Sequence, residues 1–170
     1  STIPVSSGLG SGAAAATAIV RAIAAAAGHA LTPAEISTLV FESERLFHGT
    51  PSGIDNTVIA YEQPVWFVRG QSPEPFVIAQ PVTLVIGDTS VTVGDVRRGW
   101  QNEPAHYEAL FDAVGRVVVA ARDAIRSGEA GGLGRLMDEN HALLQEMDVS
   151  SPELDRLCAA ARQAGALGAK

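Results

Sequence analysis

Pro4-Val5-Ser6-Ser7-Gly8-Leu9-Gly10-Ser11-Gly12-Ala13-Ala14 joins a short β-like stretch, residues 1–5, to an alanine-rich stretch running to about Ala27. Glycines at alternate positions let the backbone take positive φ and let a ligand reach the main chain without side-chain interference. The alanine-rich stretch reads as a helix that Gly28 stops. Its N-terminus offers free N–H groups and the positive end of the helix dipole, which attract phosphate. Two readings of the loop stand: a nucleotide phosphate loop, or a tight turn before a buried helix. Gly12 is followed by Ala13 and not by Lys, which excludes G-x-x-x-x-G-K-[ST], and the glycine spacing does not fit G-x-G-x-x-G. Backbone amides and hydroxyls would have to hold any phosphate.

Downstream, Thr32 as N-cap, Pro33 at the first helical position and Glu35 at capping-box spacing open a second helix. Ile36, Leu39, Val40, Leu46 and Phe47 keep helical spacing, so it should run to about Phe47. His48-Gly49-Thr50-Pro51-Ser52-Gly53 then breaks regular structure. Glu44 precedes this loop and Asp55 follows it, so a sharp turn can bring both carboxylates to one pocket. One can hold Mg²⁺, which takes one or two carboxylates plus substrate phosphates. The other can orient or deprotonate an attacking hydroxyl. The competing reading pairs Glu44 with a surface arginine and makes Asp55 a turn cap, with His48 hydrogen-bonding the loop backbone.

The remainder reads as short strands at residues 65–69 and 76–79 around Gly70-Gln71-Ser72-Pro73, a β-like run at residues 82–87 (VTLVIG), and three helices. The helices are expected at residues 103–126, 133–147 and 152–164, the last capped by Ser150 or Ser151. The fold class is therefore α+β, with a second structural unit opening near Val82.

Composition narrows the function. The chain has 170 residues, 46% hydrophobic and 18% charged, which fits a globular domain with a real core and excludes a disordered tail. Its 12 basic and 19 acidic side chains give a net charge of −7 without a basic stripe, which argues against nucleic acid. The most apolar run, residues 13–27, is mostly alanine and carries Arg21, too weak for a membrane span. A cytoplasmic location is expected, since the single Cys158 forms no internal disulfide. Cys158 shares a helical face with Leu154, Leu157 and Ala161, so it reads as core, and no histidine spacing completes a metal site. All basic residues but one are arginine, and the lone lysine is Lys170.

Taken together, residues 4–14 resemble the second signature motif of the GHMP kinases, a superfamily of small-molecule kinases. Glu44-Arg45-Leu46-Phe47-His48-Gly49-Thr50-Pro51-Ser52-Gly53-Ile54-Asp55-Asn56 is similar to the more specific segment of the mevalonate kinases. Residues 136–141 and 165–170 resemble the stretch before that family's third, glycine-rich motif. The resemblance implies a two-layer fold: a partial N-terminal domain, residues 1–81, like ribosomal protein S5, then a partial ferredoxin-like C-terminal domain, residues 82–170. It implies ATP and Mg²⁺ as cofactors and mevalonate, phosphorylated on its primary hydroxyl for isoprenoid precursor synthesis, as the small-molecule substrate. Phosphomevalonate, a sugar, or a non-catalytic nucleotide-binding role are the alternatives. Gly8, Leu9, Gly10, Ser11, Gly12 and Ala13 would wrap the ATP phosphates. Glu44, with Ser11, would hold Mg²⁺, and Asp55 would contact the reacting hydroxyl. His48, Gly49, Thr50, Pro51, Ser52 and Gly53 would form the substrate loop.

A homodimer would match the family. Gly12 stands where the family usually has a second serine, and Asp95 stands where it commonly has a threonine. The family's first motif with its lysine, and its third motif, are absent from these 170 residues, so this stretch alone is expected to be inactive as a kinase.

Overall fold

A computed structural model describes residues 8–87 and 96–170. The β-like stretch at residues 1–5 and the loop position Asp95 lie outside the described residues. In chain order the elements are α1 (Ser11–Ala26), α2 (Pro33–His48), α3 (Ile54–Tyr61), β1 (Val65–Trp66), β2 (Glu74–Pro75), α4 (Val96–Asn102), α5 (Pro104–Ser127), α6 (Ala130–Glu146) and α7 (Pro152–Gln163). The chain divides into two compact units, with the boundary between Val77 and Ile78.

The first unit packs α1, α2 and α3 around Ala13, Ile36, Val40 and Ala60, with Ala16, Val20, Leu31 and Ile59 against them. The small Ala13 and Ala60 sit in this core, and Gly10 and Gly12 come near side chains of α3 and α2. The start of α2 is fixed by a complete capping box. The Thr32 hydroxyl accepts the Glu35 N–H at 3.3 Å, and the Glu35 carboxylate accepts the Thr32 N–H at 2.8 Å. Beyond α3, β1 and β2 pair antiparallel, Val65 opposite Pro75 and Trp66 opposite Glu74.

In the second unit, Tyr107 and Leu110 of α5 meet Met147 at the end of α6, flanked by Val114, Leu143 and Val149. The Ser151 hydroxyl caps α7 by accepting the Leu154 N–H at 3.2 Å. Cys158 is buried, as expected, with its Sγ 3.7 Å from His141 Nδ1, whereas Leu157 beside it is exposed.

Several elements differ from the sequence expectations. The strands at residues 65–69 and 76–79 shrink to two residues each and shift, because the chain turns early. Gln71 N–H bonds Val68 O at 3.0 Å, and Pro75 has no N–H to extend the ladder. The Ala79 N–H bonds Ile125 O on α5 instead. Residues 82–87 form no strand. Their β-branched pattern needs a ladder partner, none of the described residues supplies one, and Val85 is 94% exposed. α2 takes in His48, α6 begins before Leu133 through Gly131 and Gly132, and α3 and α4 form where no helix is expected.

Candidate active site

α1 begins at Ser11 on an N-cap Gly10 with φ 69° and ψ 28°, a left-handed conformation that glycine adopts without penalty. Among the described residues, no side chain caps this terminus. The first intrahelical bond runs from Ala14 N–H to Gly10 O, 2.9 Å, so the helix supplies no acceptor for the N–H groups of Ser11, Gly12 and Ala13. The Ala13 side chain points into the core, which leaves only its backbone for a ligand. Gly8 also has positive φ, with open space where a side chain would stand, and Leu9 is exposed. This terminus has the donors and the dipole that bind phosphate.

Both predicted carboxylates reach it. A Cβ placed on Gly12 would lie 3.4 Å from Glu44 Oε1, and one on Gly10 would lie 3.6 Å from Asp55 Cγ and 3.1 Å from Ile59 Cδ1. Gly10 is required by its positive φ and by the close Ile59 side chain, whereas a Cβ at Gly12 would make only an ordinary contact with Glu44. Glu44 is buried, 7% exposed, on the inner face of α2, while Asp55 is exposed in the first turn of α3. Glu44, Pro51, Ser52, Gly53, Asp55 and Asn56 line one cleft of about 170 Å³. The expected convergence of Glu44 and Asp55 on one cleft is therefore present.

The loop between α2 and α3 is shaped by its own chemistry. Gly49, with φ 67°, ends α2 by donating its N–H to Arg45 O at 3.0 Å. Ser52 Oγ accepts the Ile54 N–H at 3.2 Å, and Gly53, with φ 91°, caps α3. A Cβ on Gly53 would meet the Phe67 ring at 3.2 Å, so aromatic side chains back this turn. Thr50 is exposed; His48 closes α2, and its side chain lies outside the described residues.

Residues with no expected role support the cleft: Asn56 in its lining and Ser37 and Thr57 behind it are buried and joined by hydrogen bonds. Hydrophobic periodicity cannot find a polar buried face; the signal was Asn56 and Thr57 directly after Asp55. A larger cleft, about 610 Å³, lies between α1 and α3 along Ala14, Thr17, Arg21 and Ile59, away from both carboxylates.

Among the described residues, no group of three or more His, Cys, Asp or Glu side chains forms a ready metal cage. One buried carboxylate beside a helix terminus with free N–H donors does fit Mg²⁺, which takes most of its ligands from phosphate oxygens and water.

The family profile described as GHMP kinases N terminal domain matches residues 1–63, and that described as GHMP kinases C terminal matches residues 121–170. The chain belongs to the GHMP kinases. Its GHMP relatives include mevalonate kinases of Thermococcus gammatolerans, 39% identical, and Pyrococcus horikoshii, 38% identical. Both alignments cover 100% of this chain and 54% and 53% of the relatives. The chain thus spans about half the length of the relatives it matches. Among solved GHMP structures, L. major mevalonate kinase in complex with R-mevalonate superposes with a TM-score of 0.80 at 33% identity, over 96% of this chain and 53% of that one. Mevalonate kinase from methicillin-resistant Staphylococcus aureus MRSA252 gives 0.66 at 30% identity, over 99% and 55%. The α+β class expected from sequence is that of this GHMP fold.

Proposed function

We propose that the protein carrying this sequence transfers the γ-phosphoryl group of ATP to the primary hydroxyl of mevalonate. The observation that carries this reading is that buried Glu44 and exposed Asp55 line one cleft and both lie beside the α1 N-terminus, whose cap Gly10 offers no side chain. The similarity to mevalonate kinases supports the choice of acceptor.

The backbone N–H groups of Ser11, Gly12 and Ala13 bind the phosphates, with the α1 dipole favouring their negative charge. Glu44 and the Ser11 hydroxyl would hold Mg²⁺, which when bound would neutralise charge on the oxygens of the phosphoryl group that ATP supplies. Asp55 accepts a hydrogen bond from the acceptor hydroxyl and takes its proton as the oxygen attacks. The loop from His48 to Gly53 walls the acceptor, with Thr50 and Ser52 as its exposed polar groups. Residues 1–81 and 82–170 are assigned to the N- and C-terminal domains of this enzyme, a cytoplasmic homodimer.

The full-length polypeptide, given labelled ATP, Mg²⁺ and a panel of mevalonate, phosphomevalonate and galactose, should label mevalonate fastest. Labelling of another acceptor in preference overturns the choice of substrate. ATP binding by calorimetry without any turnover overturns catalysis and leaves a nucleotide-binding module.

A further inference from the structure

At the back of the cleft, Asn56 of its lining and the buried Ser37 and Thr57 join α2 to α3, and their hydrogen bonds run in one direction. Asn56 Nδ2 donates to Ser37 Oγ at 2.9 Å and to Ser37 O at 3.0 Å. Thr57 Oγ1 donates to Gly53 O at 2.6 Å, which uses its single proton. The Ser37 Oγ to Thr57 Oγ1 contact, 3.2 Å, must then take its proton from Ser37. The order is fixed: Asn56 amide to Ser37 hydroxyl, Ser37 hydroxyl to Thr57 hydroxyl, Thr57 hydroxyl to the carbonyl of Gly53. Each donor polarises the next, and in a buried setting such chains strengthen cooperatively. Ser37, Asn56 and Thr57 are 7%, 4% and 3% exposed, so water does not compete.

Both ends of this relay lie at the site. Gly53 is the N-cap of α3, two residues before Asp55, and Asn56 follows Asp55 directly. Ser37 lies seven residues, two helical turns, before Glu44 on α2, so the two share a buried face. The relay thus ties the helix bearing Glu44 to the turn that aims Asp55.

We infer that Ser37, Asn56 and Thr57 are positioning residues that set Asp55 relative to Glu44 for phosphoryl transfer. This rests on the kinase reading above, and it assigns work to side chains that touch neither phosphate nor metal in that reading. Misplacing a reacting group by about 1 Å can cost on the order of 10²-fold in rate while binding survives.

The test is steady-state kinetics on the full-length polypeptide, with a thermal melt of each variant. Ser37→Ala and Thr57→Val should lower kcat by roughly 10–100-fold with KM for both substrates within about threefold. Thr57→Ser keeps the hydroxyl and should stay within about threefold of the wild-type kcat. The Ser37→Ala/Thr57→Val double variant should lose little more than the worse single, because either change cuts the same chain. Unchanged kcat in variants that merely melt earlier overturns the proposal, as does full additivity. If the wild type itself fails to phosphorylate mevalonate, the kinase reading falls, and amide exchange decides the relay separately. Faster exchange at Thr57 and Val58 in Thr57→Val supports it, and unchanged exchange overturns it.

Discussion

Asp55 and Gly10 are near neighbours, a Cβ added to Gly10 falling 3.6 Å from Asp55 Cγ. Asp55 is exposed in the first turn of α3, where a carboxylate is favoured by the helix dipole and stays available to a ligand. Replacing it by Asn keeps the shape and removes the base. Asp55→Asn is expected to lower kcat of the full-length polypeptide by roughly 10²–10⁴-fold, the usual range for a general base. A near wild-type rate would remove Asp55 from the mechanism. Gly10→Ala asks a Cβ to sit 3.1 Å from Ile59 Cδ1 at φ 69°. The left-handed conformation alone costs about 1–2 kcal/mol for a non-glycine residue, so a chemical melt should show at least that loss. Weaker ATP binding by titration should accompany it, because the cap that opens α1 is distorted.

At the scale of elements, legibility followed the physical signal each segment carries. α2 was readable because its N-terminus is made of local chemistry, and Thr32, Pro33 and Glu35 act where they were expected to. Thr32→Ala removes the acceptor for Glu35 N–H and should cost about 1 kcal/mol, checked by urea denaturation. No change in midpoint would mean that tertiary packing alone fixes this helix end. α3 was not readable, since its buried face is Asn56, Thr57 and Ala60 while Ile54 and Val58 face outward, the reverse of an amphipathic pattern. The run at residues 82–87 failed in the opposite way: its local pattern is strongly β, but a strand is a paired object, and pairing is not a local property. The nearness of Glu44 to Asp55 was more legible than the strands, because the Gly- and Pro-rich turn that brings them together is written locally in the sequence. What the sequence hid was the support, Ser37 and Thr57, whose role exists only once α2 and α3 pack.

Over the whole molecule, acid should be the condition that loosens the fold. Among the described residues, four carboxylates lie below their ordinary range, each with its own hydrogen-bond cause. Asp138 is lowered by the Ala169 N–H and then by Arg162, and Asp155 by the Ser150 hydroxyl and Gln145. Glu35 is lowered by the Thr32 N–H and hydroxyl, and Glu153 by its own N–H and by Arg156. For such groups the unfolded chain binds protons more readily than the folded one, so stability rises with pH through the window between the lowered and ordinary values. Their contribution is complete above the ordinary carboxylate range, about pH 4, and is lost as pH falls through that window. Burial pushes the Cys158 thiol up, which adds the opposite trend only above its ordinary value. Asp138 is the group to test, because it holds a strap: its Oδ1 accepts Ala169 N–H at 3.0 Å and Arg162 Nη1 at 2.7 Å, while Arg162 also donates to Ala169 O at 3.2 Å. Gly134 and Gly168 let that strap lie against α6, where an added Cβ on Gly168 would stand 1.9 Å from Gly134 O. Asp138→Asn keeps an acceptor oxygen but no longer titrates. Urea melts between about pH 7 and pH 3 should give a shallower loss of stability on acidification for Asp138→Asn than for the wild type. An unchanged acid slope would show that the strap is held by packing at the two glycines and not by the charge.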